Sequence, residues 1–462
     1  MSGFLLGAVT TGAHAQELRL SPAQAFAFAN QLIAQNKPRA AAAIAQGLLQ
    51  SRPEAPDLWL LLGQAARATG ESSASREAAR KALAFAQTPL QRHNAAVLVA
   101  DSYVVENRLT LAQVWLRRAR QNAPNDALKA RLARDYKILD RQNPWKYNFD
   151  FSVRPSSNIN NGSSEATLNG ENPLGSEPVV LSVDSQALSG FQARGFGAVS
   201  YTKALKDGAS WSLLGRADLR RYWFSQDAKD KLEAARAADP TADLPGASDF
   251  SFDDLGLRGT YRFAQNARGL GREVGLELGR NWYGGEPLSR SAMAFGSLTW
   301  TPTPRSLGQV SLSYGRQERS DADSRSATLW TLGYTAVFIP QNGGRLQFGV
   351  SISDTNARSA TVAHSRYSTT VSYTLAKPVA GVELTTRAGF SRRLDDAAYF
   401  GLVNPALRKD TRYTLGITAF FPNRDLYGFA PTLNLDWSQT NSTVSRFKSE
   451  EFAVTVGLRS VF

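Results

Sequence analysis

The sequence predicts an α + β multidomain protein: an N-terminal α-helical, tetratricopeptide-like solenoid, then a transmembrane antiparallel β-barrel of about 14 strands. Three observations predict it. The period of the apolar residues changes from 3.6 to 2 at Asn143-Pro144-Trp145. Alternating segments of about ten residues then recur to the last residue, joined by connections that are long after odd strands and mostly short after even ones. No uninterrupted run of about 18 apolar residues follows the N-terminus, so a membrane would be crossed by strands, not by a helix.

Residues 1–15 read as a signal peptide. Phe4-Leu5-Leu6-Gly7-Ala8-Val9 is a short apolar core, and Ala13-His14-Ala15 fits a small-x-small cleavage site; the usual positive n-region is missing. Export fits the rest of the chain.

Residues 16–144 are rich in Ala, Leu, Gln and Arg, with Asn, Pro and Gly at the turns. Helices are expected near 21–35, 38–51, 56–69, 72–86, 89–106, 108–122 and 125–141. Trp59-Leu60-Leu61-Leu62-Gly63 matches the W-x-x-L-G opening of a tetratricopeptide repeat, and Gly70, Ala82 and Leu83 fall at further consensus offsets. The same frame sets Ala41 with Leu48, and Ala112 with Ala119. Small residues at these offsets let paired helices approach closely, and each pair buries its apolar face on the next. Trp59, Leu62 and Gly63 are expected in the core. The concave surface is the place for an extended partner segment; a bundle or spacer without a ligand is the alternative.

Residues 145–462 carry the barrel. Tyr147, Phe149, Phe151 and Val153 alternate with Asn148, Asp150 and Ser152, and Leu433, Leu435 and Trp437 with Thr432, Asn434 and Asp436. Strands are expected near 146–155, 188–203, 209–224, 249–263, 273–283, 289–301, 307–319, 325–338, 344–355, 365–376, 381–394, 409–421, 427–440 and 446–462. Long connections cover 156–187, 225–248, 356–364 and 395–408. Tight ones cover 204–208, 302–306, 340–343, 377–380 and 422–426, with 264–272 looser. Trp145, Trp223, Trp282, Trp300 and Tyr427 suit aromatic girdles. Thr455, Gly457 and Phe462 resemble the C-terminal signal read by the barrel-assembly machinery, with Phe452, Val454, Val456 and Leu458 as an outward stripe. Ser460 stands where that signal usually carries a hydrophobic residue.

Charge and chemistry narrow the function classes. The net charge of +13 is spread over both parts: residues 16–144 hold 18 basic and 10 acidic groups, the remainder 35 and 30. No basic block or nucleic-acid motif appears, so a basic surface facing a partner or outer-membrane lipid is expected, and no nucleic acid. The absence of cysteine excludes disulfides, thiolate sites and a lipidated cysteine. His14, His93 and His364 are far apart, so no metal is expected. No catalytic fingerprint is present, and neither an enzyme nor a cofactor is expected. Asp253-Asp254, Asp321 with Asp323, and Asp395-Asp396 are read as solvated loop acids in preference to calcium ligands. The charged set on inward positions comprises Arg216, Arg220, Arg258, Arg262, Arg387 and Arg412 with Asp218, Glu277, Glu383 and Asp436. It is read first as ion pairs stabilising the lumen, and second as a field for a passing substrate.

Helical repeats fused ahead of such a barrel, with Arg154-Pro155-Ser156-Ser157-Asn158-Ile159-Asn160-Asn161-Gly162 leaving the first strand, resemble the Slam family, the surface lipoprotein assembly modifiers. The resemblance implies an outer-membrane translocator. Its helical domain would engage a client protein, a surface lipoprotein or secreted protein, in the periplasm. Its barrel would help deliver that client across the outer membrane. The alternatives are a porin or polysaccharide-export pore with a helical scaffold, and a protein that displays its long loops.

Overall fold

The computed structural model describes residues 20–168, 179–266, 269–359, 361–398 and 407–460. The signal segment 1–15 and Phe462 lie outside them. The chain separates into two compact units, dividing between Gln142 and Asn143.

Among the described residues, the first unit holds seven helices: α1 (Pro22–Ala34), α2 (Pro38–Ser51), α3 (Pro56–Ala68), α4 (Ser72–Phe85), α5 (Pro89–Val105), α6 (Leu109–Gln121) and α7 (Asp126–Gln142). Proline opens four of them, where its missing N–H costs nothing. Ser21 and Thr88 close capping boxes with Gln24 and Gln91. Each helix packs chiefly on its sequence neighbour, as in a tetratricopeptide array. Alanine makes the close contacts: Ala41, Ala45, Ala79, Ala82, Ala112 and Ala119 are fully buried. Gly63 is needed for the same reason, since a Cβ there would meet Leu98 Cδ2 at 2.7 Å. The expected core shifts slightly. Trp59 and Leu62 are only half-buried, and Leu62 flanks a cluster that includes Leu61 and Ala65. Trp59 lies at the edge because its indole N–H donates to the Pro53 carbonyl at 2.7 Å and its ring carries Lys81 at 4.5 Å. Leu48 likewise gives way to the buried Leu49.

The second unit is a closed antiparallel barrel. Its fourteen staves are β1 (Trp145–Ser156), β4 (Gly190–Ala204), β5 (Ser210–Phe224), β6 (Phe252–Arg262), β7 (Gly271–Tyr283), β8 (Glu286–Thr303), β9 (Ser306–Arg319), β10 (Ala327–Phe338), β11 (Arg345–Ala357), β12 (His364–Thr374), β13 (Glu383–Ala398), β14 (Leu407–Phe420), β15 (Phe429–Ser442) and β16 (Ser449–Ser460). Two short strands, β2 (Thr167–Leu168) and β3 (Val179–Val180), form a separate hairpin within the first long connection. β1 meets β16 to close the barrel, with Asp150 opposite Arg459 and Val153 opposite Val456. Closure leaves no free edge, which is what lets strands sit in hydrocarbon.

The alternation resolves which face is which. Phe151, Val153, Leu276, Leu278, Leu312, Leu415 and Val456 are exposed on the outer surface, while the intervening polar residues line the interior. A soluble barrel would reverse this; an apolar exterior belongs in a bilayer. The belt ends in aromatic residues. Trp145, Tyr201 and Trp211 run side by side at the rim where β1 begins, with ring centroids 4.9 and 5.5 Å apart. Trp223 and Trp282 stand near the opposite ends of their strands, and Trp300 stacks on Tyr334. The short turns at the β1-start rim use left-handed residues, such as Gly208 and Gly343.

Segment 225–248, expected as a loop, contains helix α8 (Gln226–Ala238). Ser225 caps it through Ala228 N–H, Asp227 pairs with Lys231 one turn on, and Ala228 and Leu232 are buried.

Candidate functional site

Three features stand out: a charged lumen, a tied-down mouth, and a cavity in the helical unit.

The lumen network begins with register. Arg194 on β4 lies directly across from Arg220 on β5, and Phe196 across from Asp218. Two facing guanidiniums repel unless a carboxylate separates them. Asp218 does so: Arg194 reaches it with Nη2 at 2.7 Å and Arg220 with Nη2 at 3.2 Å. One pair further on, Arg216 is held by Asp254 and by Glu277, the latter at 3.1 Å, and Arg258 reaches Glu277 at 3.6 Å. Arg258 also covers Phe295 at 3.6 Å. Gly256 provides the floor on which Arg216 lies, since a Cβ there would come within 2.7 Å of its Nε. Gly416 does the same for the Arg387–Asp436 pair, which closes at 2.9 Å.

Of the ten charged residues singled out from sequence, all fall on inward positions. Arg216, Arg220, Asp218, Arg258 and Glu277 come together on β5–β7. Arg387 and Asp436 pair alone, and Arg262 pairs with Glu273 at 3.4 Å near the β1-start rim. Glu383 has no cationic partner within 4 Å among the described residues, and Arg412 donates only to Ser438 Oγ at 3.1 Å. Sequence reasoning missed Arg194, Asp254, Arg154 and Glu451. Their roles depend on cross-strand register, which connection lengths alone do not fix. The acid pairs read as solvated loop acids are placed otherwise in part: Asp253 and Asp254 lie in β6 and Asp395 and Asp396 in β13, and arginines pair with Asp253 (Arg221), Asp254 (Arg216), Asp321 (Arg319 and Arg325), Asp323 (Arg358) and Asp395 (Arg393), but not with Asp396 among the described residues. Thr455 and Gly457 face the lumen, and Phe452, Val454, Val456 and Leu458 face outward.

The Asn-Ile-Asn stretch has a structural task. Asn158 brackets Gly162, its Oδ1 accepting from Gly162 N–H and its Nδ2 donating to Gly162 carbonyl, both at 2.8 Å. Asn160 donates to the carbonyls of Asp184 and Gln186 and accepts from Leu188 N–H. Ile159 is buried with Leu188 and Ala228. The loop also reaches across to the connection before β16, where Ser163 Oγ donates to Ser445 carbonyl at 3.1 Å and Lys448 pairs with Glu165 at 2.8 Å. A Cβ on Gly162 would stand 2.2 Å from the Gln186 carbonyl oxygen. Gly162→Ala therefore frees residues 157–168 and 179–189 for protease attack on folded protein, while the barrel keeps its heat-modifiable gel mobility. Unchanged protection would mean that this cassette does not hold the loop.

In the helical unit, a cavity of about 530 Å³ opens between α3, α5 and α7. Leu60, Val97, Val104, Leu128 and Ile138 give it an apolar floor. Arg67, Asp101, Arg131 and Asp135 give it charge of both signs, with Arg67 Nη1 3.6 Å from Asp101. Burial pushes the Asp101 carboxyl up from its ordinary value, against the pull of Arg67. Val104 and Ile138 remain exposed, 39% and 53%. The cavity thus combines apolar anchors with polar groups in one concavity, as binding sites do.

Residues 278–462 match the family model of the surface lipoprotein assembly modifier. No curated protein matches the chain. Among solved structures, the type III secretion translocator chaperone SycD of Yersinia enterocolitica is similar at 15% identity and TM-score 0.24, over 26% of this chain and 83% of that one. A bacterial polysaccharide outer membrane secretin is similar at 10% identity and TM-score 0.32, over 68% and 98%. OprB of Pseudomonas putida is similar at 10% identity and TM-score 0.33, over 70% and 95%.

Proposed function

We propose that this protein is an outer-membrane translocator of the surface lipoprotein assembly modifier type. Its helical unit holds a client protein in the periplasm, and its barrel helps deliver that client to the cell surface. The observation that carries the reading is the joining of two parts in one chain: a barrel whose residues 278–462 match that family, and a helical repeat unit with an apolar, charge-rimmed cavity. Among the described residues, no helix is long and apolar enough to cross a membrane. The loops support this orientation. Short turns lie at the rim where β1 begins and the longest connections at the other, and in outer-membrane barrels the short turns face the periplasm. The residues have no catalytic part in this reading: the chain holds and conducts, and does no covalent chemistry. The barrel-assembly machinery would insert the barrel, and outer-membrane lipid would cover its belt.

A second reading, a pore for solutes or exported polysaccharide, is favoured by one observation, the polar and charged lining of the lumen.

A photo-crosslinking residue separates the two. Placed at Ile138 or Val104 in the cavity, it captures a secreted or lipid-anchored protein encoded beside this one. Placed at Val114, as exposed as Ile138 but outside the cavity, it does not. Equal capture at all three sites, or none during active display, would remove the cavity from the mechanism.

A further inference from the structure

The lumen is not electrically balanced. On the inward positions of the fourteen staves, basic groups outnumber acidic ones fifteen to eleven. The excess is localised. β10 presents no inward charge and β8 only Glu286 at its turn, whereas β12–β14 bring four arginines together toward the long-loop end. Arg366 lies directly across from Arg393, a like-charge pair on one face, and Arg408 and Arg412 are also within its electrostatic reach.

Two carboxylates sit among these four guanidiniums, and both are already engaged. Asp395 binds Arg393 Nε at 2.6 Å, and Asp410 binds Arg408 Nη2 at 2.6 Å. Arg366 and Arg412 are left with no carboxylate within 4 Å among the described residues. Both are exposed to the lumen, and hydroxyls surround them: Ser368 and Ser391 lie in register between them, and Ser438 takes a hydrogen bond from Arg412. Guanidiniums with free donors beside hydroxyl groups form a site for a planar or tetrahedral oxyanion.

We propose that Arg366 and Arg412 form an oxyanion site in the lumen, specific for the carboxylate or phosphate class, and that it makes the barrel an anion-preferring path. The field of the unpaired pair adds to the net positive lining, so anions concentrate in the lumen and cations are repelled. The inference rests on the lumen alone and stands whether or not a client passes through it.

The test uses purified full-length protein in planar bilayers under a potassium chloride gradient. The wild type gives a reversal potential of the chloride sign, and millimolar inorganic phosphate lowers its conductance. Arg366→Gln with Arg412→Gln moves the reversal potential at least halfway to zero and abolishes the phosphate effect. Arg366→Lys, which keeps the charge, retains the anion preference. Arg316→Gln, on the outward face, behaves as wild type. Heat-modifiable mobility verifies that each variant is folded, and Arg366→Gln alone serves if the double variant is not. A wild type with no current, no selectivity or cation preference overturns the proposal. So does a folded double variant that keeps the wild-type potential.

Discussion

Asp218→Ala lowers the unfolding free energy of the barrel by about 1–3 kcal/mol. The carboxylate is almost wholly buried, at 9% side-chain exposure, and it separates Arg194 from Arg220, which face each other across β4 and β5. Its removal takes away hydrogen bonds to two charged donors and leaves two like charges in register. Breaking a fully buried pair by losing one partner costs about 3–5 kcal/mol. The lower figure applies because the two arginines are 38% and 37% exposed on their side chains, so lumen water screens part of the repulsion. A second change checks the cause: Arg220→Gln, neutral in charge, restores part of the loss in the Asp218→Ala background but destabilises the wild type. Urea unfolding in vesicles, read by the heat-modifiable gel shift, measures all four proteins. Equal midpoints for wild type and Asp218→Ala would show that the network contributes nothing to stability.

Much of this architecture is legible in the residues. Pro22, Pro38, Pro56 and Pro89 announce helix starts, and the helices begin there. The two-residue period is equally readable because a bilayer outside and water inside impose the same alternation on every stave. The strands differ from the expected bounds by a few residues at their ends, where pairing, not composition, decides the limit. The lumen is readable only in part. Placing Arg216 or Arg387 on the inward face needs parity alone. Knowing that Asp218 lies between Arg194 and Arg220, or that Asp395 and Asp410 are consumed while Arg366 stays free, needs the register of neighbouring strands. Helix α8 and the loop cassette around Asn160 were obscured for a different reason. Each is stabilised by partners distant in sequence, such as Leu188 and Ser445, so local pattern carries little of the signal.

Deletion of residues 20–142, with an export signal kept in place, separates what the two units do. The barrel folds without them, because each stave satisfies its backbone donors and acceptors on its two neighbours and β1 pairs with β16 to complete the circuit. The deletion removes the entire cavity lined by Leu60, Val97, Leu128 and Ile138. A translocator that must hold its client before delivery loses that step, whereas a passive pore loses nothing. The deciding measurement is surface labelling of the candidate client on intact cells making no protein, the full chain, or the barrel alone, with barrel insertion verified by gel mobility in the membrane fraction. The account expects display with the full chain and display from the inserted barrel alone no higher than in cells lacking the protein. Full display from the barrel alone would contradict it.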